Sequence, residues 1–233
     1  MVDYARFWPN FSDDIADYLN TDRHKVLLKW AALFHDLGKP KTRSVDSNGK
    51  TRFIGHEKEG VLIVQKICSR LKMSGQHLSY IALIVGGHLR CLQLFNESKR
   101  GNLTSKGIIR FVKEYEDHII GLLIHSLSDQ RAKGGVTHES VCELVDFLKR
   151  VFLAYFSDLK PKMHMPRLIT GHDLIDCFGL QQSEIIGRLL QKVEEARLGG
   201  QVKTKREAIK MAGKLIKLEG DAGIEPAAPS SGG

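Results

Sequence analysis

The stretch that decides the fold is RHKVLLKWAALFHDL, residues 23–37. Apolar residues lie on nearly every side of it, so it predicts a buried central helix. Gly38 and Pro40 follow directly and indicate where this helix ends. His35 and Asp36 are the informative pair, because burying an ionised carboxylate here costs several kcal/mol unless a partner or a bound cation offsets it.

The segment 41–55 predicts a small hairpin flap, because Asn48-Gly49 is typical of a tight turn between two short strands. Beyond the flap, helical periodicity dominates and strand signals are almost absent. Helices are expected over 56–72, 76–85, 105–115, 116–132 and 138–156. The sequence therefore predicts an all-α fold, with a helical domain over residues 1–160.

A second, smaller helical domain is expected over 161–219. Thr170 has the position of an N-cap with Asp173 three residues later, which predicts a short helix to Cys177. Two amphipathic helices follow, over 183–198 and 204–218, separated by two glycines. The segment 220–233 is rich in Gly, Ala, Pro and Ser and predicts a disordered tail.

The composition indicates a globular protein, since 42% of the 233 residues are hydrophobic. The longest apolar runs, 81–85 and 119–124, are far shorter than the roughly 20 residues of a membrane helix, and the N-terminus has no apolar signal core. The sequence thus argues against a membrane or secreted protein, and we expect a cytoplasmic one. The four cysteines form no Cys-x-x-Cys motif and fit reduced thiols. A net charge of +8 favours a polyanionic partner.

Further polar residues could join the His-Asp pair. His56 follows the flap, His88 follows two glycines, and Asp129 lies in a mostly apolar helix. Because adjacent helix residues point about 100° apart, His35 and Asp36 can share an ion only at the edge of their helix, with ligands arriving from other helices. Imidazole and carboxylate together suit a divalent transition metal or Mg²⁺.

Two residues leave alternatives open. Asp117 competes with Asp129 for the last carboxylate position, although it lies near a helix start beside two glutamates. His125 is one turn before Asp129. It therefore either contacts a metal-binding residue and fixes its orientation, or is an ordinary, partly buried histidine.

HDLGKP at 35–40, GHE at 55–57, GGH at 86–88 and Asp129 resemble the HD superfamily of metal-dependent phosphohydrolases. The chain is more closely similar to bacterial tRNA nucleotidyltransferases of the CCA-adding and poly(A) polymerase type. That resemblance is carried by AALFHDLGKPKTRSVDSNGKTRFIGHEKEG at 31–60 and RLITGHDLIDCFGLQQSEIIGRLLQKVEEARLGGQVKTKREAIKMA at 167–212. Plain HD phosphohydrolases do not share the second stretch.

The resemblance implies an HD-type helical domain with a divalent metal ion, for which Mg, Mn, Ni, Co and Zn are equally open. The implied metal ligands are His35, Asp36, His56, His88 and Asp129. The bound ion would lower the pKa of a water that attacks a phosphomonoester or a 2′,3′-cyclic phosphate. Asp36 is thus also a catalytic candidate, and Lys39 either ends its helix or contacts the substrate phosphate.

The same resemblance implies tRNA or another RNA as partner. The candidate RNA-binding residues are Arg167, Lys203, Lys205, Arg206 and Lys210. The alternative for this basic series is a solvated helix face without a ligand.

Two departures from the family pattern limit what is expected. The family's nucleotide-adding head is not found, so the chain looks like the C-terminal half of such an enzyme, and no nucleotidyltransferase activity is expected from it alone. His24 is the only histidine before the His-Asp pair, and about 16 Å of helix would separate it from His35, too far to share an ion. Two alternatives remain: a non-catalytic tRNA-binding module with a remnant HD site, or one subunit that joins a separate head polypeptide.

Overall fold

The computed structural model describes residues 4–220 and confirms the all-α class. Besides short 3₁₀ turns, the elements in chain order are α1 Tyr4–Phe7, α2 Ser12–Asn20, α3 His24–Phe34, α4 Lys39–Thr42, β1 Arg43–Val45, β2 Thr51–Phe53, α5 His56–Arg70, α6 Gly75–Gly87, α7 Arg90–Lys99, α8 Ser105–Tyr115, α9 Ile119–Ala132, α10 His138–Ala154, a π-helical turn Tyr155–Leu159, α11 Lys160–Met163, α12 Gly171–Phe178, α13 Glu184–Leu198 and α14 Lys205–Gly220. From residue 221 onward, the tail predicted over 220–233 lies outside the described residues.

The described chain divides into two compact units. The first contains residues 4–103 and 112–154, and the second contains residues 104–111 and 155–220. Helix α8 therefore contributes its first part to the second unit and its last part to the first.

In the first unit, the helix buried on all sides is α9. Every residue from Ile119 to Leu127 is buried. The helix predicted over residues 23–37 as a buried central helix is buried on one side only, because Val26 is 51% exposed and Leu33 is 67% exposed. These two residues are seven apart and share one face of α3, which turns to solvent while α3 packs against α6 and α9.

A hairpin follows α3 and the short helix α4. Strands β1 and β2 pair antiparallel, with Arg43 opposite Phe53 and Val45 opposite Thr51. The turn is closed by Asp46, whose carboxylate accepts hydrogen bonds from the backbone of Asn48 and Lys50 at 3.0 and 2.9 Å. The hairpin ends shortly before His56, which is the first residue of α5 and a predicted site residue.

One helical stretch of the described residues, Gly75–Lys99, is long and apolar enough to cross a membrane by length and composition. Half of its most apolar window is buried inside the protein. The core helix of a globular protein has the same length and apolarity, so this stretch is weak evidence for a membrane span. In the first unit this stretch contributes to the hydrophobic core, since Ile81, Ile84 and Val85 are fully buried.

The second unit has its own core. Helix α12 begins with the predicted N-cap: Thr170 Oγ1 accepts from the Asp173 backbone at 3.3 Å, and the Asp173 carboxylate accepts from the Thr170 backbone at 2.7 Å. Its apolar centre is formed by residues of α12, α13 and α14, including Leu174, Leu189, Val193, Ala208 and Ala212. The small alanines allow α14 to lie close to its neighbours.

Candidate metal centre

The His-Asp pair lies in the turn that follows α3. Gly38 in this turn approaches the start of α5 so closely that a Cβ atom would lie 2.0 Å from the backbone oxygen of His56 and 2.7 Å from the backbone nitrogen of Gly60. The glycine is needed for space rather than for its φ angle, which is −75°. This backbone contact places Asp36 beside His56.

Three histidines of the centre are oriented in the same way. Each places Nδ1 against the backbone oxygen three residues earlier: His35 on Ala32 at 2.8 Å, His56 on Phe53 at 2.7 Å and His88 on Val85 at 2.7 Å. Since a carbonyl oxygen only accepts, each Nδ1 carries the proton and donates it. The Nε2 atoms are therefore the ones directed to the centre, as is common for histidines that bind metals.

The structure brings Asp36, His56 and His88 together around one point, and it places His35 and Asp129 next to this group. His35 Nε2 lies 3.2 Å from Asp36 Oδ2 and 3.4 Å from Asp129 Oδ1. His56 Nε2 lies 3.5 Å from Asp36 Oδ1 and 3.1 Å from His88 Nε2. His56 and His88 are buried, whereas the Asp36 side chain is 38% exposed, so the group is open to solvent on the Asp36 side.

The donor set fits a divalent cation. Ligand atoms of Asp36, His56 and His88 all lie within 4.8 Å of one another. If both neutral imidazoles carry their proton on Nδ1, the Nε2 atoms of His56 and His88 face each other with lone pairs and cannot hydrogen-bond. A cation between them satisfies both atoms, and imidazole with carboxylate is a ligand set for divalent transition metals.

The charges of the centre are coupled. The hydrogen bond to Asp129 raises the pKa of His35 above its ordinary value. Burial raises the pKa of Asp129, but hydrogen bonds from His35 and Lys133 outweigh it and leave that pKa below its ordinary value. Burial lowers the pKa of His88, so its imidazole stays neutral and able to bind a metal at neutral pH.

Each carboxylate of the centre also forms an ion pair with a lysine. Lys39 Nζ lies 2.6 Å from Asp36 Oδ2 and 5.7 Å from the ring centroid of Phe53. Lys133 Nζ lies 2.6 Å from Asp129 Oδ2. The sequence analysis singled out Lys39 and missed Lys133, which its position four residues after Asp129 on one helix could have indicated.

The two open alternatives can now be placed. Asp129 lies beside His35, whereas Asp117 lies in the turn that precedes α9. The His125 ring packs 5.2 Å from the His35 ring and 6.1 Å from the His88 ring, and its Nδ1 is buried with no hydrogen-bond partner among the described residues. Burial lowers the pKa of His125 to about 3. His125 thus packs behind the ligand rings as a neutral imidazole.

The candidate RNA-binding residues all lie in the second unit and are exposed. Four of them are clustered at the start of α14 and just before it, and Arg167 precedes α12: Arg167, Lys203, Lys205, Arg206 and Lys210. Lys205 is already engaged, since its Nζ lies 2.5 Å from Asp173 Oδ1. Lys210 has no ion-pair partner among residues 4–220.

The helical fold and the clustered histidines and aspartates define the class of domain. The model of the HD domain matches residues 10–110. A second model, tRNA nucleotidyltransferase domain 2, matches residues 158–212. The chain therefore joins an HD domain to a tRNA nucleotidyltransferase domain 2, and the resemblance found in the sequence is confirmed.

The chain is similar to three named relatives. The A-adding tRNA nucleotidyltransferase of Deinococcus radiodurans is 29% identical over 78% of this chain and 40% of its own length. The CC-adding tRNA nucleotidyltransferase of Thermus thermophilus is 31% identical over 76% of this chain and 37% of its own length. The Multifunctional CCA protein of Pasteurella multocida is 27% identical over 58% of this chain and 30% of its own length. The chain is thus a tRNA nucleotidyltransferase-related module that spans at most 40% of these relatives.

Proposed function

We propose that this chain is a metal-dependent phosphohydrolase that acts on RNA or a nucleotide. The observation that carries the proposal is the common orientation of His35, His56 and His88: Nε2 of His35 lies beside Asp36 and Asp129, and Nε2 of His56 lies beside Asp36 and His88. Three imidazoles held in this way by backbone carbonyls, beside the carboxylates of Asp36 and Asp129, favour a preorganised cation site over a set of surface residues.

The residues divide into ligands and a phosphate contact. His35, Asp36, His56, His88 and Asp129 would hold the ion, which when bound supplies a water or hydroxide activated for attack on phosphorus. Lys39 is bound to Asp36 through an ion pair and can turn its ammonium group towards a phosphate oxygen near that carboxylate. A phosphomonoester or a 2′,3′-cyclic phosphate is the proposed substrate.

The RNA partner is proposed for the second unit. The relatives are named for tRNA, and the exposed basic residues at the start of α14 offer contacts to a phosphate backbone. We place the division between the metal-bearing part and the RNA-binding part near residue 160. A cytoplasmic location and association with a nucleotidyltransferase head belong to the same proposal.

A metal-binding experiment tests the phosphohydrolase. Purified protein should take up a divalent ion in stoichiometric amount and hydrolyse a 2′,3′-cyclic nucleotide, and Asp36→Ala should abolish both. The matched control is Asp146→Ala, which removes an exposed carboxylate from α10. Hydrolysis that survives in Asp36→Ala would indicate a contaminant.

A non-catalytic RNA-binding module is the second candidate. It is favoured by one observation: Lys39 and Lys133 already neutralise Asp36 and Asp129 at 2.6 Å, so the carboxylates are compensated without a cation. Failure to take up Mg²⁺, Mn²⁺, Ni²⁺, Co²⁺ or Zn²⁺ at millimolar concentration, with tRNA binding intact, would favour this candidate.

A further inference from the structure

A cavity of about 310 Å³ lies between helices α3 and α9, beside the metal centre. The residues of α3 that line it, from Lys25 to His35, recur with the helical period and so form one face of the helix. The lining residues of α9, from Ile124 to Ala132, follow the same period. His35 and Asp129 are both predicted metal ligands, so the cavity and the metal centre share a wall.

Part of the lining is apolar and small. Leu28 and Ala32 contribute from α3, and Ile124 and Ala132 contribute from α9. The two alanines are exposed, and their short side chains leave space that a larger residue at either position would fill. The volume is at the small end of the range for ligand pockets. It fits one flat, largely apolar group such as a nucleobase, and not a folded RNA element.

Two lysines place positive charge at the mouth of the cavity. Lys25 and Lys29 line it and are exposed, and neither has an ion-pair partner among residues 4–220. Asp129 is the one carboxylate among the lining residues, and it is already paired with Lys133 at 2.6 Å. The charge of the lining therefore favours an anion.

The spacing along α3 separates the lysines from the metal centre. Lys29 lies six residues before His35, about 9 Å along the helix axis, and Lys25 lies ten residues before it, about 15 Å. The long, flexible stem of a lysine lets its ammonium group meet a phosphate at this end of the groove. One ligand can thus place a phosphate at the metal centre and a second phosphate at the lysines.

We propose that this cavity holds the base of the 3′-terminal nucleotide of an RNA strand, with Lys25 and Lys29 at the phosphate that precedes it. The inference rests on the proposed phosphohydrolase, because the terminal phosphate would lie at the metal centre. It narrows the substrate to the end of an RNA chain. A sugar phosphate has no group for the apolar lining, and a 2′,3′-cyclic mononucleotide has no second phosphate for the lysines.

A dinucleotide without a terminal phosphate tests the cavity apart from hydrolysis. The full chain, kept free of metal by a chelator, is labelled with ¹³C at the methyl groups of Ala and Leu and titrated with the RNA dinucleotide ApA. The ring current of a base in the cavity should shift the methyl signals of Leu28, Ala32 and Ala132. ApA should bind about ten-fold more tightly than adenosine, because adenosine has no phosphate for the lysines.

Two results of this titration would overturn the proposal. One is that saturating ApA leaves the methyl signals of Leu28, Ala32 and Ala132 unshifted, which would place the base elsewhere. The other is that adenosine binds as tightly as ApA, which would mean that the lysines contact no phosphate.

A double variant tests the two lysines. Lys25 and Lys29 changed together to Gln should remove the roughly ten-fold advantage of ApA over adenosine. The matched control changes Lys66 and Arg70, exposed residues of α5, together to Gln and so alters the net charge equally. Equal affinities of the two double variants for ApA would contradict the site.

A cavity-filling variant tests the apolar part. Ala32→Leu should fold, since Ala32 is exposed and leucine is nearly as favourable as alanine in a helix. The larger side chain should weaken binding of ApA about ten-fold or more by occupying the place of the base. The backbone oxygen of Ala32 that accepts from His35 is kept, so metal uptake should persist. Unchanged ApA affinity in folded Ala32→Leu would refute the base site, and if this variant does not fold, the lysine variant decides.

Hydrolysis separates this inference from the proposed function. In metal-loaded protein, kcat/KM for ApA that ends in a 2′,3′-cyclic phosphate should exceed kcat/KM for 2′,3′-cyclic AMP, and the double lysine variant should narrow the difference. If neither compound is hydrolysed but ApA shifts the cavity methyl groups, the phosphohydrolase is wrong and the RNA-end site stands. If both are hydrolysed equally well and ApA shifts none of them, the phosphohydrolase stands and the RNA-end site is wrong.

Discussion

The metal centre and the basic surface of the second unit, defined as Lys203, Lys205, Arg206 and Lys210, hold their polar side chains in opposite ways. At the centre, three imidazoles are each fixed to a backbone carbonyl three residues earlier. On the basic surface the side chains are long and exposed, and Lys205 is the one of the four with an ion pair among the described residues. The first arrangement suits a small target with strict geometry, and the second suits a flexible polyanion.

The largest effect expected from one substitution is that of Gly38→Ala. The added Cβ would collide with backbone atoms of His56 and Gly60 rather than with a side chain that can move. We expect a loss of about 3 kcal/mol in the free energy of unfolding, at the upper end for overpacking, and displacement of His56 from Asp36. Urea denaturation and metal uptake measure the two consequences.

Gly187→Ala is the matched control in the second unit. Gly187 lies within α13, and a Cβ there meets nothing within 4 Å. This variant should gain about 0.5–1 kcal/mol from helix propensity. If Gly38→Ala were as stable as Gly187→Ala, the close contact that brings Asp36 to His56 would be refuted.

The second prediction concerns the basic surface as a whole. Changing its four residues together to Glu should weaken tRNA binding on the order of 100-fold at low salt, because each lost phosphate contact also removes counterion release. Metal uptake should be unchanged, since the ligands lie in the first unit. Filter binding across salt concentrations measures the affinity and its salt dependence.

A charge-matched variant controls for net charge. Lys58, Lys66, Arg70 and Lys72, exposed residues of the first unit, are changed together to Glu. An equal loss of affinity in both quadruple variants would mean that tRNA responds to net charge and not to the surface at α14.

The sequence predicted the structure correctly where the structure depends on residues close together in the chain. The capping box of Thr170 and Asp173 is formed as predicted, because it involves residues only three apart. The motif at residues 35–40 pointed to His35 and Asp36 as site residues. The close contact of Gly38 with His56 could not be predicted in this way, because it joins two separate segments of the chain. Spacing alone cannot show that a glycine is required for space.

Errors arose where packing overrides local pattern. The apolar stretch 23–37 predicted a buried central helix, yet Val26 and Leu33 are exposed, and α9 is the helix with nine consecutive buried residues, 119–127. Helix α2 was not predicted, although Ile15, Tyr18 and Leu19 have helical spacing and are buried. Its polar residues, including Asp13, Asp14 and Asp17, leave only a narrow apolar face, so the helical period is hard to recognise in the sequence.

The third prediction concerns pH at the metal centre. In metal-free protein, Asp129→Asn should lower the pKa of His35, because the hydrogen bond to Asp129 is the largest cause of its elevation. NMR titration of the His35 ring measures this shift, with Asp146→Asn as the control. An unchanged His35 pKa in Asp129→Asn would contradict the 3.4 Å contact.

The sign of the stability effect follows from both partners. The raised pKa of His35 contributes stability that is fully present below the unfolded pKa of histidine and is lost as pH rises through the folded value. The lowered pKa of Asp129 contributes stability above the unfolded pKa of aspartate, which is lost as pH falls through the folded value. The pair therefore stabilises the metal-free protein most between the two unfolded values, and Asp129→Asn should lose most stability there.

The smallest effect is expected inside the basic surface, at Lys205. Its ammonium group is paired with Asp173, and this contact lowers the pKa of Asp173 to about 2. A phosphate must compete with that carboxylate for Lys205 but not for Lys210, so Lys205→Gln should weaken tRNA binding less than about two-fold and Lys210→Gln by about five-fold. Asp173→Asn gives the converse test: it keeps an oxygen for the capping box, releases Lys205, and should raise tRNA affinity slightly. Equal losses in Lys205→Gln and Lys210→Gln would mean that the ion pair opens without cost when RNA binds, and that local pairing does not divide the basic surface into engaged and free cations.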